Sequence, residues 1–203
     1  MLLKDCRFCA IDLETTGLDP RKDEIIAFAA IPMRGSRIAV HEGCYTLVRP
    51  KKYKLEAMKF HGLSRNDLEG APSFEEVAPE ILKALDGIIV GHSVEYDQEF
   101  LKAHFKRIGT RLKSEYLDIV VIEQWLGREC GKKDPDFSLF SHFSLNGIMS
   151  RYGLKESYRH NAMADAFCAA QIFQMQMRRL ADFGVDSLWS LKQVVRSCTY
   201  STW

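Results

Sequence analysis

The chain has 203 residues, 46% of them hydrophobic, and a net charge of +1, enough for one α/β domain with a sizeable core and too little for a second full domain. No run approaches the ~20 apolar residues of a membrane span, and the opening Met-Leu-Leu-Lys-Asp-Cys lacks the long apolar stretch of a signal peptide, so a soluble cytoplasmic protein with no membrane association is expected. The near-neutral balance argues against a protein that coats long nucleic acid by counterion release. Cys6-Arg-Phe-Cys9 has no second pair to complete a metal site, so all six cysteines read as reduced thiols.

Taken in chain order, the apolar runs predict strands near Phe8–Asp12, Ile25–Met33, Ile38–Val48, Ile88–Gly91 and Tyr116–Leu117. Helical periodicity predicts helices near Phe74–Leu85, Asp97–Arg107, Ile119–Leu126, Ser144–Tyr152 and Ala162–Leu180. Three early strands separated only by the turn residues Asp19-Pro-Arg-Lys-Asp and Arg34-Gly-Ser imply an antiparallel meander. The later alternation of helix and strand implies parallel additions, and so an α/β fold with a mixed central sheet flanked by helices. The stretch 131–142 reads as a loop that either borders a site or merely connects two helices. After the main domain, 1–180, the tail 181–203 carries Trp189, Leu191, Val194, Val195, Tyr200 and Trp203 and is apolar enough to pack on the same domain or to meet a partner.

Three segments carry chemistry. In Phe8-Cys-Ala-Ile-Asp-Leu-Glu-Thr-Thr-Gly17 a buried strand empties into a polar turn, and period-two alternation puts Asp12 and Glu14 on one side of the sheet at its open end. A single metal pair can touch both, although an isolated Asp-x-Glu also reads as a turn former beside a solvated charge. In Val90-Gly-His-Ser-Val-Glu-Tyr-Asp97, Asp97 stands near a helix start, as a ligand or as a helix cap; His92 and Glu95 are further candidates by chemistry. In His160-Asn-Ala-Met-Ala-Asp165, five residues on a continuous helix would turn the two side chains about 140° apart. Asn161 as the helix cap resolves this, leaving His160 in the preceding turn and Asp165 on the helix face shown by Ala162, Ala169 and Phe173. A histidine beside a carboxylate suits a general base that takes a proton from water without being a ligand.

The order and spacing of these motifs, with His61-Gly-Leu-Ser64 and Leu68-Glu-Gly-Ala-Pro72 between the first two, resemble the His-type branch of the DEDD exonuclease superfamily over about Arg7 to Met177. That group includes the proofreading epsilon subunit of bacterial DNA polymerase III and ribonuclease T. The resemblance implies a ribonuclease H-like fold and 3′–5′ exonuclease activity releasing nucleoside 5′-monophosphates from single-stranded DNA. It makes Asp12, Glu14, Asp97 and Asp165 ligands of two Mg²⁺ or Mn²⁺ ions, and His160 the general base. It also implies substrate contacts at Leu13, Thr15, Thr16, Gly17, His61, Ser93 and Tyr96, and a DNA polymerase or another replication or repair protein as partner. Ser93 and Tyr96 depart from the Asn and Phe frequent in relatives, which changes detail at the site without removing a carboxylate. An RNA-trimming enzyme, with Thr15, Thr16 or Ser93 reading a ribose hydroxyl, and a non-catalytic nucleic-acid-binding subunit stand as alternatives. The basic clusters Arg49, Lys51, Lys52 and Lys54, and Lys132-Lys133, are candidates for the phosphate backbone.

Overall fold

The structure, a computed structural model, describes residues 1–131, 143–155 and 160–199; Lys132, Lys133, Tyr200, Trp203 and most of the 131–142 stretch lie outside them. Six strands form one sheet: β1 (Arg7–Thr15), β2 (Ile25–Arg34), β3 (Arg37–Ile38), β4 (Cys44–Leu47), β5 (Ile88–Gly91) and β6 (Tyr116–Asp118). β1 pairs antiparallel with β2 and parallel with β5, and β6 adds parallel to β5, so the expected meander and parallel additions are both present. The strand expected over Ile38–Val48 is instead broken. β3 and β4 both lie along β2, interrupted by a 3₁₀ turn at Val40–Glu42. The break falls opposite Pro32, which has no N–H to give a ladder, and whose carbonyl takes the Ala39 N–H at 2.9 Å.

Alternation along β1 sorts the core. Phe8 and Ala10 face helices α5 (Ile119–Gly131), α6 (Leu145–Arg151), α7 (Ala162–Ala181) and α8 (Leu188–Thr199), with Phe8 edge-on to Phe173 at 5.0 Å. Cys9 and Ile11 face α3 (Phe74–Ala84) and α4 (Glu95–Arg107), among Phe74, Ile81, Phe100 and Phe105. Cys6 and Cys9 accordingly sit in different clusters, and none of the six cysteines is in a disulfide. In the tail, α8 places Leu191 and Val194 in the core, whereas Trp189 is exposed. Two short helices had no strong periodic signal: α1 (Leu55–His61) and α2 (Arg65–Glu69), the latter started by a reciprocal Ser64–Asp67 capping box. Among the described residues no helix is long and apolar enough to cross a membrane.

Two buried polar clusters fix helices in place. Glu123 on α5, fully buried, accepts from Arg151 Nη1 at 2.7 Å, Tyr152 OH at 2.8 Å and Gln176 Nε2 at 2.8 Å, so α5, α6 and α7 share one satisfied charge. On α4, buried His104 Nε2 accepts from the Ile25 N–H at 3.2 Å, which leaves Nδ1 to donate to the Phe100 carbonyl at 2.9 Å. Protonation would turn a second N–H toward the Ile25 N–H and the Arg107 guanidinium. Burial lowers the pKa of His104, and burial also lowers that of His61. Both folded pKa values lie below the unfolded one, so the stabilisation is complete above about 6.5 and is lost as pH falls from there through the folded values. The histidine contribution to the denaturant midpoint should therefore fall between pH 7.5 and 5. The midpoint of the wild type minus that of His104→Gln, which is neutral throughout, should shrink over that range; a constant difference would remove His104 from this account.

Candidate active site

The same parity that sends Phe8 and Ala10 toward α7 carries Asp12 and Glu14 to that face, while Leu13 packs with the opposite core. Asp12 lies opposite Ala29 and Glu14 opposite Ala27 on β2. Ala27, Ala29, Ala162 and Ala166 pack as one small-residue cluster, and their lack of bulk lets the start of α7 approach the strands closely. Asp165, buried in the first turn of α7, reaches the strand carboxylates there: one ligand oxygen from each of Asp12, Glu14 and Asp165 lies within 4.8 Å of the others. A register shift between Glu14 and Thr15 ends the regular pairing at this edge, a common device for re-aiming side chains at a strand end.

Asp97 lies in the first turn of α4 and is not the helix cap, a position held by Val94. Its buried carboxylate accepts from its own N–H and from that of Leu13, between Asp12 and Glu14. Burial, followed by the charges of Asp118 and Glu14, holds its carboxyl well above the usual carboxylate range despite those two donors. Three of the four expected ligands thus converge within 4.8 Å, and the fourth abuts them through the Leu13 amide.

Asn161 caps α7, its Oδ1 accepting from the Ala164 N–H at 3.2 Å, and His160 stands in the preceding turn. The His160 N–H donates to Asp165 Oδ2 at 3.3 Å, and the residue itself is exposed. His160 (φ 60°) and Ser93 (φ 53°) are the two non-glycine residues with positive φ among those described, and both belong to the expected site. The Ser93 N–H donates to Asp118 Oδ1 at 3.1 Å, which also takes the Val120 N–H at 2.8 Å. Burial raises the Asp118 pKa. Sequence reasoning passed over Asp118, yet it bears the same mark as Asp12: an acid ending a short apolar strand. His92 bonds through Nε2 to the Phe143 carbonyl at 2.7 Å, joining this turn to the start of α6.

The remaining expected contacts divide. Thr15 Oγ1 donates to the Gly17 carbonyl at 2.7 Å. Thr16 is buried, and its hydroxyl donates to Asp23 Oδ1 at 3.2 Å while taking the Glu24 N–H at 3.0 Å, so it is turned away from solvent. Asp23, also unread in the sequence, accepts in addition from the Asp19 N–H at 2.9 Å and from Lys54. A Cβ at Gly17 would lie 2.5 Å from the Asp23 carboxylate, so only glycine lets the turn close over it. His61 is buried, with Nδ1 taking the Leu63 N–H at 3.0 Å and Nε2 without a partner; the Tyr96 hydroxyl is likewise buried and unpartnered, its ring 5.3 Å from Phe100. Of the first basic cluster, Lys51 pairs with Glu75 and Lys54 with Asp23.

A mixed sheet whose strand ends and helix starts bring acids together beside a histidine turn defines a nuclease of the ribonuclease H-like architecture. The family model RNase_T, an exonuclease, matches residues 9–173, and the chain belongs to that family of DEDD-type 3′–5′ exonucleases. It is 32% identical to the DNA polymerase III subunit epsilon of Aquifex aeolicus over 196 residues, covering 95% of this chain and 91% of the relative. It is 29% identical to the PolC-type DNA polymerase III of Thermotoga maritima over 200 residues, covering 97% of this chain but only 14% of that much longer protein. Among solved structures it resembles E. coli Exonuclease I in complex with a dT13 oligonucleotide, with a TM-score of 0.73, 19% identity and coverage of 88% of this chain and 42% of the other. Exonuclease X in complex with 5′ overhanging duplex DNA gives a TM-score of 0.65 at 18% identity, covering 93% and 98%.

Proposed function

We propose that this exonuclease removes nucleoside 5′-monophosphates one at a time from single-stranded DNA 3′ ends, in the cytoplasm and in association with a DNA polymerase or another replication or repair protein. The observation that carries the reading is the convergence of Asp12, Glu14 and Asp165 within 4.8 Å beside the His160 turn. The partner reading is supported by relatives that are themselves polymerase III proteins.

An all-carboxylate donor set fits hard divalent cations, Mg²⁺ or Mn²⁺, better than Zn²⁺. Asp12, Glu14, Asp97 and Asp165 would hold two such ions, which supply charge to the attacking and leaving oxygens of an in-line displacement. The chain's own groups do the rest. His160 takes the proton of the attacking water at a ring nitrogen, and its turn is tied to Asp165 by a backbone hydrogen bond, which keeps base and carboxylate side by side. The Leu13 N–H holds the Asp97 carboxylate in place. The Thr15–Gly17 turn, Ser93, Tyr96 and His61 surround the terminal nucleotide, with the unpartnered His61 Nε2–H and Tyr96 hydroxyl as donors in reserve for it.

A 5′-labelled single-stranded DNA oligonucleotide should be shortened progressively to a ladder, and a matched RNA more slowly. Cleavage of circular single strands would show an endonuclease and end the proposal; faster trimming of the RNA would transfer the enzyme to the RNA-processing class.

A further inference from the structure

The rim beside the carboxylates exposes side chains that a monomeric fold normally hides. Leu18 in the β1–β2 turn is 80% exposed, and Leu55 and Phe60 on α1 are 69% and 61% exposed. Lys54 holds the segment before α1 to Asp23, which in turn accepts from Thr16, so α1 and the Leu18 turn are joined. Just beyond α1, Leu63 packs with Ala27, Ala29 and Ala162, on the face of the sheet where Asp12, Glu14 and Asp165 meet. The Tyr53 hydroxyl donates to the Leu63 carbonyl at 3.0 Å and completes the anchor. Apolar residues in such a place do nothing for the core.

Charge separates a nucleic-acid surface from an apolar protein-docking one. Between Arg49 and Arg65 six basic residues stand against the single acid Glu56, in a chain whose net charge is only +1; of the six, Lys51 pairs with Glu75 and Lys54 with Asp23. The cations are interleaved with rings: Lys59 Nζ lies 4.9 Å from the Phe60 centroid and Arg65 Cζ 5.6 Å from that of Tyr53. Flat apolar faces for bases alternating with cations for phosphates are what an unpaired strand requires, and a ring already polarised by a cation is a good stacking platform. We propose that the α1 rim, centred on Phe60, Leu55 and Lys59, binds the single-stranded DNA upstream of its 3′ end by base stacking and phosphate contact. It thereby sets the preference for longer strands. The proposal rests on the exonuclease reading of the carboxylate centre.

Phe60→Ala and Lys59→Ala change exposed side chains, and circular dichroism should show an intact fold. With dT12 and a thymidine dinucleotide as substrates, Phe60→Ala should raise KM for dT12 roughly tenfold more than for the dinucleotide, which offers only one nucleotide upstream of the scissile bond. Lys59→Ala should flatten the dependence of log KM for dT12 on log salt by about 0.7. Equal effects on both lengths, or none, would overturn the proposal. If the wild type leaves both substrates intact, the exonuclease reading falls, and fluorescence anisotropy of labelled dT12 tests the rim alone: weaker binding by Phe60→Ala sustains it and equal binding refutes it. A wild-type dimer that Phe60→Ala turns into a monomer, with dT12 binding unaltered, would assign the rim to a second copy of the chain instead.

Discussion

His160→Ala is expected to lower kcat on a single-stranded oligonucleotide by about 10²–10⁴-fold, the usual worth of general-base assistance, while divalent metal still protects the protein against heat. The separation follows from how the two groups are placed. His160 is exposed and meets Asp165 through its backbone N–H, so truncating its imidazole leaves the carboxylates where they are. Asp12→Asn should abolish turnover by a different route, because it removes the charge of one of three carboxylates whose oxygens converge within 4.8 Å. The cleanest discriminator is the pair of readouts together. Single-turnover rates should fall in both variants, whereas metal-induced stabilisation should shrink only in Asp12→Asn. A His160→Ala enzyme with a near wild-type rate would remove the imidazole from the mechanism.

The parts of this site legible in the sequence were those set by local periodicity. Period two along β1 places Asp12 and Glu14 on one face, and the need for Asn161 to cap α7 forces His160 out of the helix; both rules act over a few residues and both describe the structure. What could not be read depends on contacts far apart in the chain. Asp23 matters because Lys54 comes back over the β1–β2 turn, 31 residues later, and nothing in Asp19-Pro-Arg-Lys-Asp announces that. Asp118 matters because β6 lies beside β5, which brings its carboxylate under Ser93. The resemblance made Thr16 a substrate contact, but in the structure Asp23 draws its hydroxyl inward. The helix α1 was invisible for a related reason: Leu55 and Phe60 point to solvent, so its apolar residues do not mark a buried stripe, and a method that reads burial from periodicity finds none.

The second large effect is linkage between metal and stability, which tests the four-carboxylate set with no substrate present. Metal-free, Asp97 is buried near Glu14 and Asp118, and its carboxyl is pushed well above the usual range, burial first and like charge after it. A group whose folded pKa is raised contributes stability that is complete below its unfolded value, about 3.9, and lost as pH rises through the folded value; above about 3.9 ionising this carboxyl therefore works against the fold. A cation that binds only the folded state reverses this, adding RT ln(1 + [L]/Kd), about 2.7 kcal/mol at a hundredfold excess over Kd, or several degrees in Tm for a domain of this size. Mn²⁺ or Mg²⁺ should therefore raise the wild-type Tm visibly over its value in chelator. Asp97→Asn keeps the shape, retains an oxygen to accept the Leu13 N–H, and removes the charge, so the metal-free variant should be at least as stable as the wild type yet gain less from metal. Asp165→Asn should behave alike, since it also neutralises one carboxylate of the converging set. Equal metal responses in wild type, Asp97→Asn and Asp165→Asn would mean that these carboxylates do not share a metal site, and the catalytic assignment of both would fall with it.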